Sequence, residues 1–358
     1  MTSHAKKISI TLGLILGLSC GSISAAPFTG FAEIETPRLQ DQLGTGETDG
    51  NINVWARYTG GNMRQELGIS DGKFLPTKSK TNYNGIQAGV DTKISKNIRV
   101  GGFVGYTDFN IDYNQHGETD VYSKYLGVYG VYEKPENGFY IDSSIRVGTM
   151  QHEQNLTIPA RTSSTDVLVP LKGSDSANNW LFSIGAGQQI FLGNQKEQRQ
   201  GFYIKPQMNV TVGRMESIEH SYINSDFTEF GVTNRTSYAG LKMDGTDIGL
   251  LNVSTLIGYE VKNGKAPVNV YGKVAYLQDF GSEQNMYGGF QFFDNSNNPL
   301  TGRAGEMKTD MSRHSWVVGV GASTKINDRH NLYIDLETSL NGDTHKNWQT
   351  SLGYKYNW

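Results

Sequence analysis

The chain has 358 residues and a formal net charge of −3, long enough for two soluble domains on length alone. Its composition excludes an ordinary soluble protein: glycine supplies 43 residues and charged residues only 19%, against about 7% and about 25% in typical domains. With 19 Tyr, 15 Phe, 5 Trp and only 9 Pro, it is not a Pro-rich disordered chain, and the near-neutral charge gives no electrostatic case for nucleic acid as a partner.

Residues 1–26 have the three parts of a secretory signal: Lys6 and Lys7, an apolar run from Ile8 to Leu18, and small residues through Ser22, Ser24, Ala25 and Ala26. The run is too short for a transmembrane helix, which needs about 20 apolar residues. Cleavage near Ala25 is expected, because Pro27 obstructs a cut directly before it. A lipid-anchor reading of Leu18-Ser19-Cys20 is weakened by Gly17. Cys20 is the sole cysteine, so neither an intrachain disulfide nor a Cys-rich zinc site is available. Residues 27–50 form a short linker in which Thr36-Pro37 and Gly44 supply an N-cap, a first-turn proline and a terminating glycine for a helix over 37–43.

From residue 52 onward, polar and apolar residues alternate almost to the end, the period of a strand with two unlike faces. Twelve strands are expected, over 52–61, 83–94, 97–107, 121–133, 138–150, 179–192, 201–214, 247–262, 267–280, 313–326, 330–341 and 347–358. The last shows the pattern best, with Trp348, Thr350, Leu352, Tyr354, Tyr356 and Trp358 opposite Gln349, Ser351, Gly353, Lys355 and Asn357. Each segment reaches the roughly 9–11 residues that a tilted strand needs to cross a bilayer. The connections alternate between short turns (95–96, 134–137, 263–266, 327–329) and long loops (62–82, 151–178, 215–246, 281–312), with 342–346 short where a long loop is due. Such sorting fits a bacterial outer-membrane barrel with turns in the periplasm and loops outside. The expected fold is therefore all-β, a 12-stranded antiparallel transmembrane barrel over 51–358, closed because an open sheet edge in lipid leaves backbone groups unpaired. Mid-strand Gly185, Gly187, Gly319, Gly321 and Gly353 fall on the wet faces, where small residues relieve crowding in a closed barrel.

The wet faces also carry Arg57, Lys93, Arg99, Arg146, Lys205, Lys273, Asp335, Glu337 and Lys355, which are read as lumen-lining charges because an Arg or Lys on the lipid face costs about 2–4 kcal/mol near mid-bilayer. Asp335 and Glu337 could pass for a catalytic carboxylate pair; a charge ladder with the lumenal bases is the better account. The histidines after the signal (His116, His152, His220, His314, His330, His345) are scattered, and neither His-Glu-x-x-His nor Gly-x-Ser-x-Gly occurs. No catalytic, cofactor-binding or metal-binding residue is assigned, and no enzymatic role is expected.

The opening strand Val54-Trp55-Ala56-Arg57-Tyr58 with Gly60-Gly61, the second strand Tyr83-Asn84-Gly85-Ile86-Gln87-Ala88-Gly89-Val90-Asp91 and the aromatic carboxy terminus together resemble the translocator barrel of classical (type V) autotransporters over residues 45–358. That resemblance implies twelve strands and a scaffold for moving or displaying an N-terminal segment across the outer membrane. It also implies an assembly signal at Leu352, Tyr354, Tyr356 and Trp358, with Trp in place of the commoner terminal Phe; these residues equally suit lipid-facing girdle aromatics. The implied partners are outer-membrane lipid and lipopolysaccharide, and during biogenesis the Sec machinery, periplasmic chaperones and the barrel-assembly machinery; a monomer is expected. The family carries a large passenger between signal and barrel, whereas only 27–50 stand there in this sequence. The 37–43 helix then reads either as a remnant of the family's pore helix or as part of a free periplasmic tail. The alternative function is a stand-alone pore or surface-binding barrel acting through loops 151–178, 215–246 and 281–312.

Overall fold

The computed structural model describes residues 52–67, 77–113, 117–161, 166–193, 199–229, 232–262, 267–281, 284–293, 299–309, 313–327, 329–341 and 344–358. The expected signal peptide, the 27–50 linker and its 37–43 helix lie outside the described residues. Twelve strands form the wall: β1 (Ile52–Leu67), β2 (Thr77–Ser95), β3 (Ile98–Asp112), β4 (Gly117–Lys134), β5 (Phe139–Arg161), β6 (Asp166–Gln188), β7 (Gly201–Met215), β8 (Thr246–Val261), β9 (Val268–Asp279), β10 (Arg313–Lys325), β11 (His330–Ser339) and β12 (Thr344–Asn357). Past a break at Gln189, Ile190–Phe191 extend β6 and pair with β7.

Every strand pairs antiparallel with its chain neighbours. β1 pairs with β12 from Asn53↔Asn357 to Gln65↔Thr344, closing the ring. Closure is what hydrocarbon requires, since no water is present there to satisfy an edge. The Trp358 amide donates to the Ile52 carbonyl at 2.8 Å, so the barrel begins and ends at the rim that carries the short turns. One of these turns needs its glycine: Gly138 has φ 72° and donates its amide to the Lys134 carbonyl at 3.0 Å.

The two-residue period sorts the side chains. Val54, Ile86, Val90, Val104, Leu126, Val128, Ile257, Ile334 and Leu352 are exposed on the outer wall, while Asn53, Trp55, Arg57 and Thr59 are buried inside. In a bilayer the exposed apolar residues meet acyl chains, so both faces find a matching solvent. The register also explains the surplus of glycine and aromatics, because inward aromatic rings stand directly opposite glycines. Trp55 faces Gly89, Phe103 faces Gly127, Tyr125 faces Gly105, Tyr129 faces Gly101, Tyr203 faces Gly258 and Tyr333 faces Gly353. A Cβ at Gly89 would lie 2.5 Å from the Trp55 ring, and one at Gly101 2.6 Å from Tyr129 Cζ. The rings occupy the space that a side chain would fill, so these glycines seat aromatic rings as well as relieving crowding.

At the turn rim the observed strand ends fall close to those expected from sequence. At the opposite rim the strands run further, and the long loops prove to be ribbons. β5 and β6 pair from Phe139↔Gln188 to Arg161↔Asp166, well beyond the 138–150 and 179–192 segments. Between β7 and β8 lies a hairpin of Ile218–Glu229 and Val232–Met243; between β9 and β10 lies one of Gln284–Phe293 and Pro299–Thr309. Pairing of Ser237–Met243 with Phe292–Met286 joins the two into a single four-stranded sheet. Alternation does not reveal such ribbons, because outside the membrane both faces can be polar.

Candidate functional site

The candidate site is the lumen, whose chemistry changes along the barrel axis. From the turn rim up to Lys346, ionised groups are held in pairs and networks. Asp91 accepts from Asn53 Nδ2 at 2.6 Å, from Arg99 at 2.5 Å and from the Tyr129 hydroxyl at 2.7 Å, and Tyr129 in turn accepts from Trp55 Nε1 at 2.7 Å. Glu337 stands between two lysines, 2.6 Å from Lys273 Nζ and 3.4 Å from Lys346 Nζ, with all three side chains under a tenth exposed. Tyr271 donates to Asp335. Arg146 donates to Asn179 at 3.1 Å and lies 4.6 Å from the centroid of the Tyr125 ring. Lys205 sits 4.9 Å from the centroid of Tyr140. Burial makes such contacts costly to break, because a charge stripped of its partner in low dielectric has no water to replace it.

Arg57, Lys205, Lys273 and Lys355 are buried on the inner face; Arg99 and Asp335 are partly buried, and Arg146 is 3% exposed. Lys93 shares their register but is exposed, two residues from the end of β2 and opposite Arg99. All nine residues expected to line the lumen lie within about seven residues of the turn end of their strands. The structure gathers Arg99 around Asp91, and Lys273 around Glu337. It adds Asn53, Asp91, Tyr129 and Lys346, which sequence reasoning did not select. The parity signal was present, since Asn53 shares the face of Arg57 and Asp91 that of Lys93.

Further along, the inner face mixes apolar with polar side chains, a feature absent from the sequence-based expectation of a uniformly wet lumen: buried Thr81, Ser123, His152 and Lys346 stand opposite Ile111, Met150, Val121 and Met63 in the register. Met63, Phe109, Ile111, Val121, Met150 and Met215 point inward with 2% exposure or less, about eleven to fourteen residues from the turn ends of their strands. Leu250, Ala275, Leu277 and Val317 form a buried cluster on β8 to β10. Tyr83 and Phe109 pack with ring centroids 6.0 Å apart.

Leu352, Tyr354, Tyr356 and Trp358 face outward. Leu352, Tyr354 and Trp358 are 44%, 39% and 81% exposed, and Tyr356 is half-buried. His330 on β11 joins them, its Nδ1 2.6 Å from the Tyr354 hydroxyl and its ring centroid 5.1 Å from that of Tyr356. Aromatic and polar groups alternate here at the turn rim, as in an interfacial girdle.

The family model for the autotransporter beta-domain matches residues 54–337. The chain belongs to the autotransporter β-domain family. Among curated proteins, it is 24% identical over 328 residues to the probable autotransporter YcgV of Escherichia coli strain K12, covering 90% of this chain and 29% of that protein. It is 22% identical over 315 residues to the pertactin autotransporter of Bordetella bronchiseptica, covering 85% and 29%. The chain thus spans under a third of these relatives. Among solved structures, the β domain of the Bordetella autotransporter BrkA is similar with a TM-score of 0.59 at 20% identity, covering 87% of this chain and all of that one. The translocator domain of NalP from Neisseria meningitidis gives 0.58 at 13% identity, covering 94% and 99%; at these identities the likeness shows the fold. This autotransporter β-domain is a bacterial outer-membrane barrel of the translocator type, its turn rim periplasmic and its hairpin rim extracellular. Its family is one of translocator barrels rather than of enzymes.

Proposed function

We propose that the barrel carries the segment preceding Ile52 to the cell surface through its lumen. The supporting observation is the joint placement of β1 and the charged lumen. β1 begins at the turn rim beside Trp358, so a segment ahead of it reaches the far side of the membrane only by way of the interior. There the inner face offers paired charges and hydroxyls that a hydrated chain can pass. On this reading residues 1–26 act as a cleaved signal and 27–50 as the linker that lies in or near the lumen. Leu352, Tyr354, Tyr356 and Trp358 present the outward face read during assembly. The nine charged residues from Arg57 to Lys355 keep the conduit wet and the wall rigid. Passage through Sec, periplasmic chaperones and the barrel-assembly machinery follows from the outer-membrane destination, with lipopolysaccharide around the finished, monomeric barrel.

An epitope inserted after Ala26 tests the proposal in intact cells. Digestion by external protease is the expected result. An epitope that stays protected, while the barrel itself shows the heat-dependent gel mobility of a folded outer-membrane protein, would sink it. The extracellular four-stranded sheet favours a second role, surface binding through the 218–243 and 284–309 hairpins; deleting the 284–309 hairpin should then abolish adherence and leave assembly intact.

A further inference from the structure

We infer that Arg199, at the periplasmic mouth of the lumen, is a carboxylate-binding residue that takes Glu47 of the segment preceding β1 and so pins the bend by which the chain enters the barrel. The inference rests on the lumen being the conduit proposed above. Arg199 is the one non-glycine residue with a positive φ among the described residues, at 51°, a left-handed conformation that an arginine adopts against a steric cost. Its guanidinium carbon lies 5.2 Å from the centroid of the Phe191 ring, and Phe191 is buried in a cluster with Tyr203, Leu256 and Tyr271. A Cβ at Gly138 would come within 2.7 Å of Arg199 Nη2, so the guanidinium is held between the Phe191 ring and the β4–β5 turn. Among the described residues it has no hydrogen bond and no ion pair, although a guanidinium carries five N–H donors. The acid whose charge acts on it, Glu260, is engaged elsewhere: Gln189 Nε2 donates to one of its oxygens at 3.0 Å, and Lys262 Nζ lies 3.7 Å from the other. A guanidinium fixed in place with its donors unused suits a carboxylate.

The occupant follows from sequence and reach. A chain that descends the lumen and then becomes β1 must reverse direction just before Ile52. Gly44, Gly46 and Gly50 allow such a bend, and Glu47 and Asp49 stand between them. The β6–β7 connection lies half-way round the ring from β1, across a mouth roughly 24 Å wide for tilted strands about 4.8 Å apart. From Ile52 the backbone reaches about 17 Å by Glu47 and about 10 Å by Asp49. Two long side chains close the remaining gap at Glu47; at Asp49 they fall short.

Endoproteinase Glu-C, which cuts after glutamate, reads the contact in the full, signal-cleaved chain folded in detergent micelles. Arg199→Gly is the main variant, because glycine takes a φ of 51° without strain and keeps the turn while removing the guanidinium. It should speed cutting after Glu47 roughly tenfold, as loss of a hydrogen bond between charged groups implies. Arg199→Lys keeps the charge without the planar fork and should fall between the two. Asp49→Asn, and Lys96→Ala at another base of the same rim, should leave the rate unchanged. Heat-dependent gel mobility checks that each variant is folded. Equal cutting after Glu47 in the unmodified and Arg199→Gly proteins overturns the inference, as does a comparable increase in Asp49→Asn or Lys96→Ala. Charge exchange gives a second readout. Glu47→Arg alone should open a tryptic cut at that position, and adding Arg199→Glu should suppress it; a cut that persists undiminished counts against the pair. Surface display and this contact fail separately. An epitope after Ala26 that stays protected, alongside a Glu-C response, removes the conduit and leaves the contact between Arg199 and Glu47 standing, whereas display without a response removes the contact alone.

Discussion

Near the periplasm the inner face of the barrel holds Asp91, Arg99, Lys273 and Glu337 in contact with one another or with tyrosines. Near the cell surface, the same inward register holds Met63, Phe109, Met150 and Met215. Backbone geometry is shared, so the difference lies in how each region satisfies burial. The charged region gains rigidity from partners it cannot lose; the outer region adds apolar area and shape, packed between polar neighbours such as Thr81, Ser123 and His152. The first is held by directional contacts, the second in larger part by packing.

The largest expected effect comes from breaking a charge cluster on one side only. Glu337→Ala leaves Lys273 and Lys346 buried without their shared carboxylate and should cost about 3–5 kcal/mol of unfolding free energy, read by urea titration of the refolded barrel in vesicles. Because the cluster is shielded from solvent, the loss should persist at high salt. Replacing Glu337 by Leu together with Lys273 by Met should recover much of it, since matched apolar groups remove the unpaired charge. Further from the turn rim, Met150→Ala should cost about 2–5 kcal/mol through the space it leaves, with no salt dependence and no recovery by a second substitution that removes charge. If the two variants respond alike to salt and to the compensating change, the division of the lumen into two regimes is wrong.

A smaller effect is expected where the two regimes share a device, the glycine opposite an aromatic ring. A Cβ at Gly258 would meet the Tyr203 ring at 2.5 Å, and Tyr203 is held by a 3.0 Å bond from its hydroxyl to Asn269 Oδ1. Gly258→Ala should therefore displace the ring and cost about 1–3 kcal/mol, measured in the same titration, and Tyr203→Ala in that background should relieve part of the strain.

How legible this was in the sequence follows from which signal each feature leaves. Strand number and the turn-rim ends left a strong one, since a lipid-facing apolar row must alternate with an inward row. The glycine surplus was legible as inward crowding, but the partner ring of each glycine depends on register, and nothing in Gly353 alone points to Tyr333. Lys93 carried the right parity and still lies exposed, because parity specifies the face and not the depth. The inward apolar side chains were missed because Phe109 and Ile111 on an inward row look like a lapse in alternation unless neighbouring strands show Val121 and Met150 at the same height. The hairpins were passed over although Met286, Phe290 and Phe292 share one parity, because a ribbon outside the membrane need not carry a continuous apolar row.

The smallest expected effect lies outside the wall, in the β4–β5 turn, and sets the baseline for both regimes. Glu136 is 3.3 Å from Lys96, with both side chains largely in solvent. Its carboxyl is held below the ordinary glutamate range, first by its own backbone amide and then by the Lys96 hydrogen bond and charge. A lowered folded-state pKa gives stability that is present above the unfolded value and lost as pH falls through the folded one. For so exposed a pair, solvent screening leaves little of it. Glu136→Gln should thus leave the urea midpoint unchanged at neutral pH. In an NMR titration Lys96→Ala should raise the Glu136 midpoint only part of the way to that of an unperturbed glutamate, because the larger cause, the backbone amide, stays in place. A full return would assign the shift to the lysine, and a destabilisation comparable to that of Glu337→Ala would mean that an ion pair in water and one sealed in the lumen obey the same energetics.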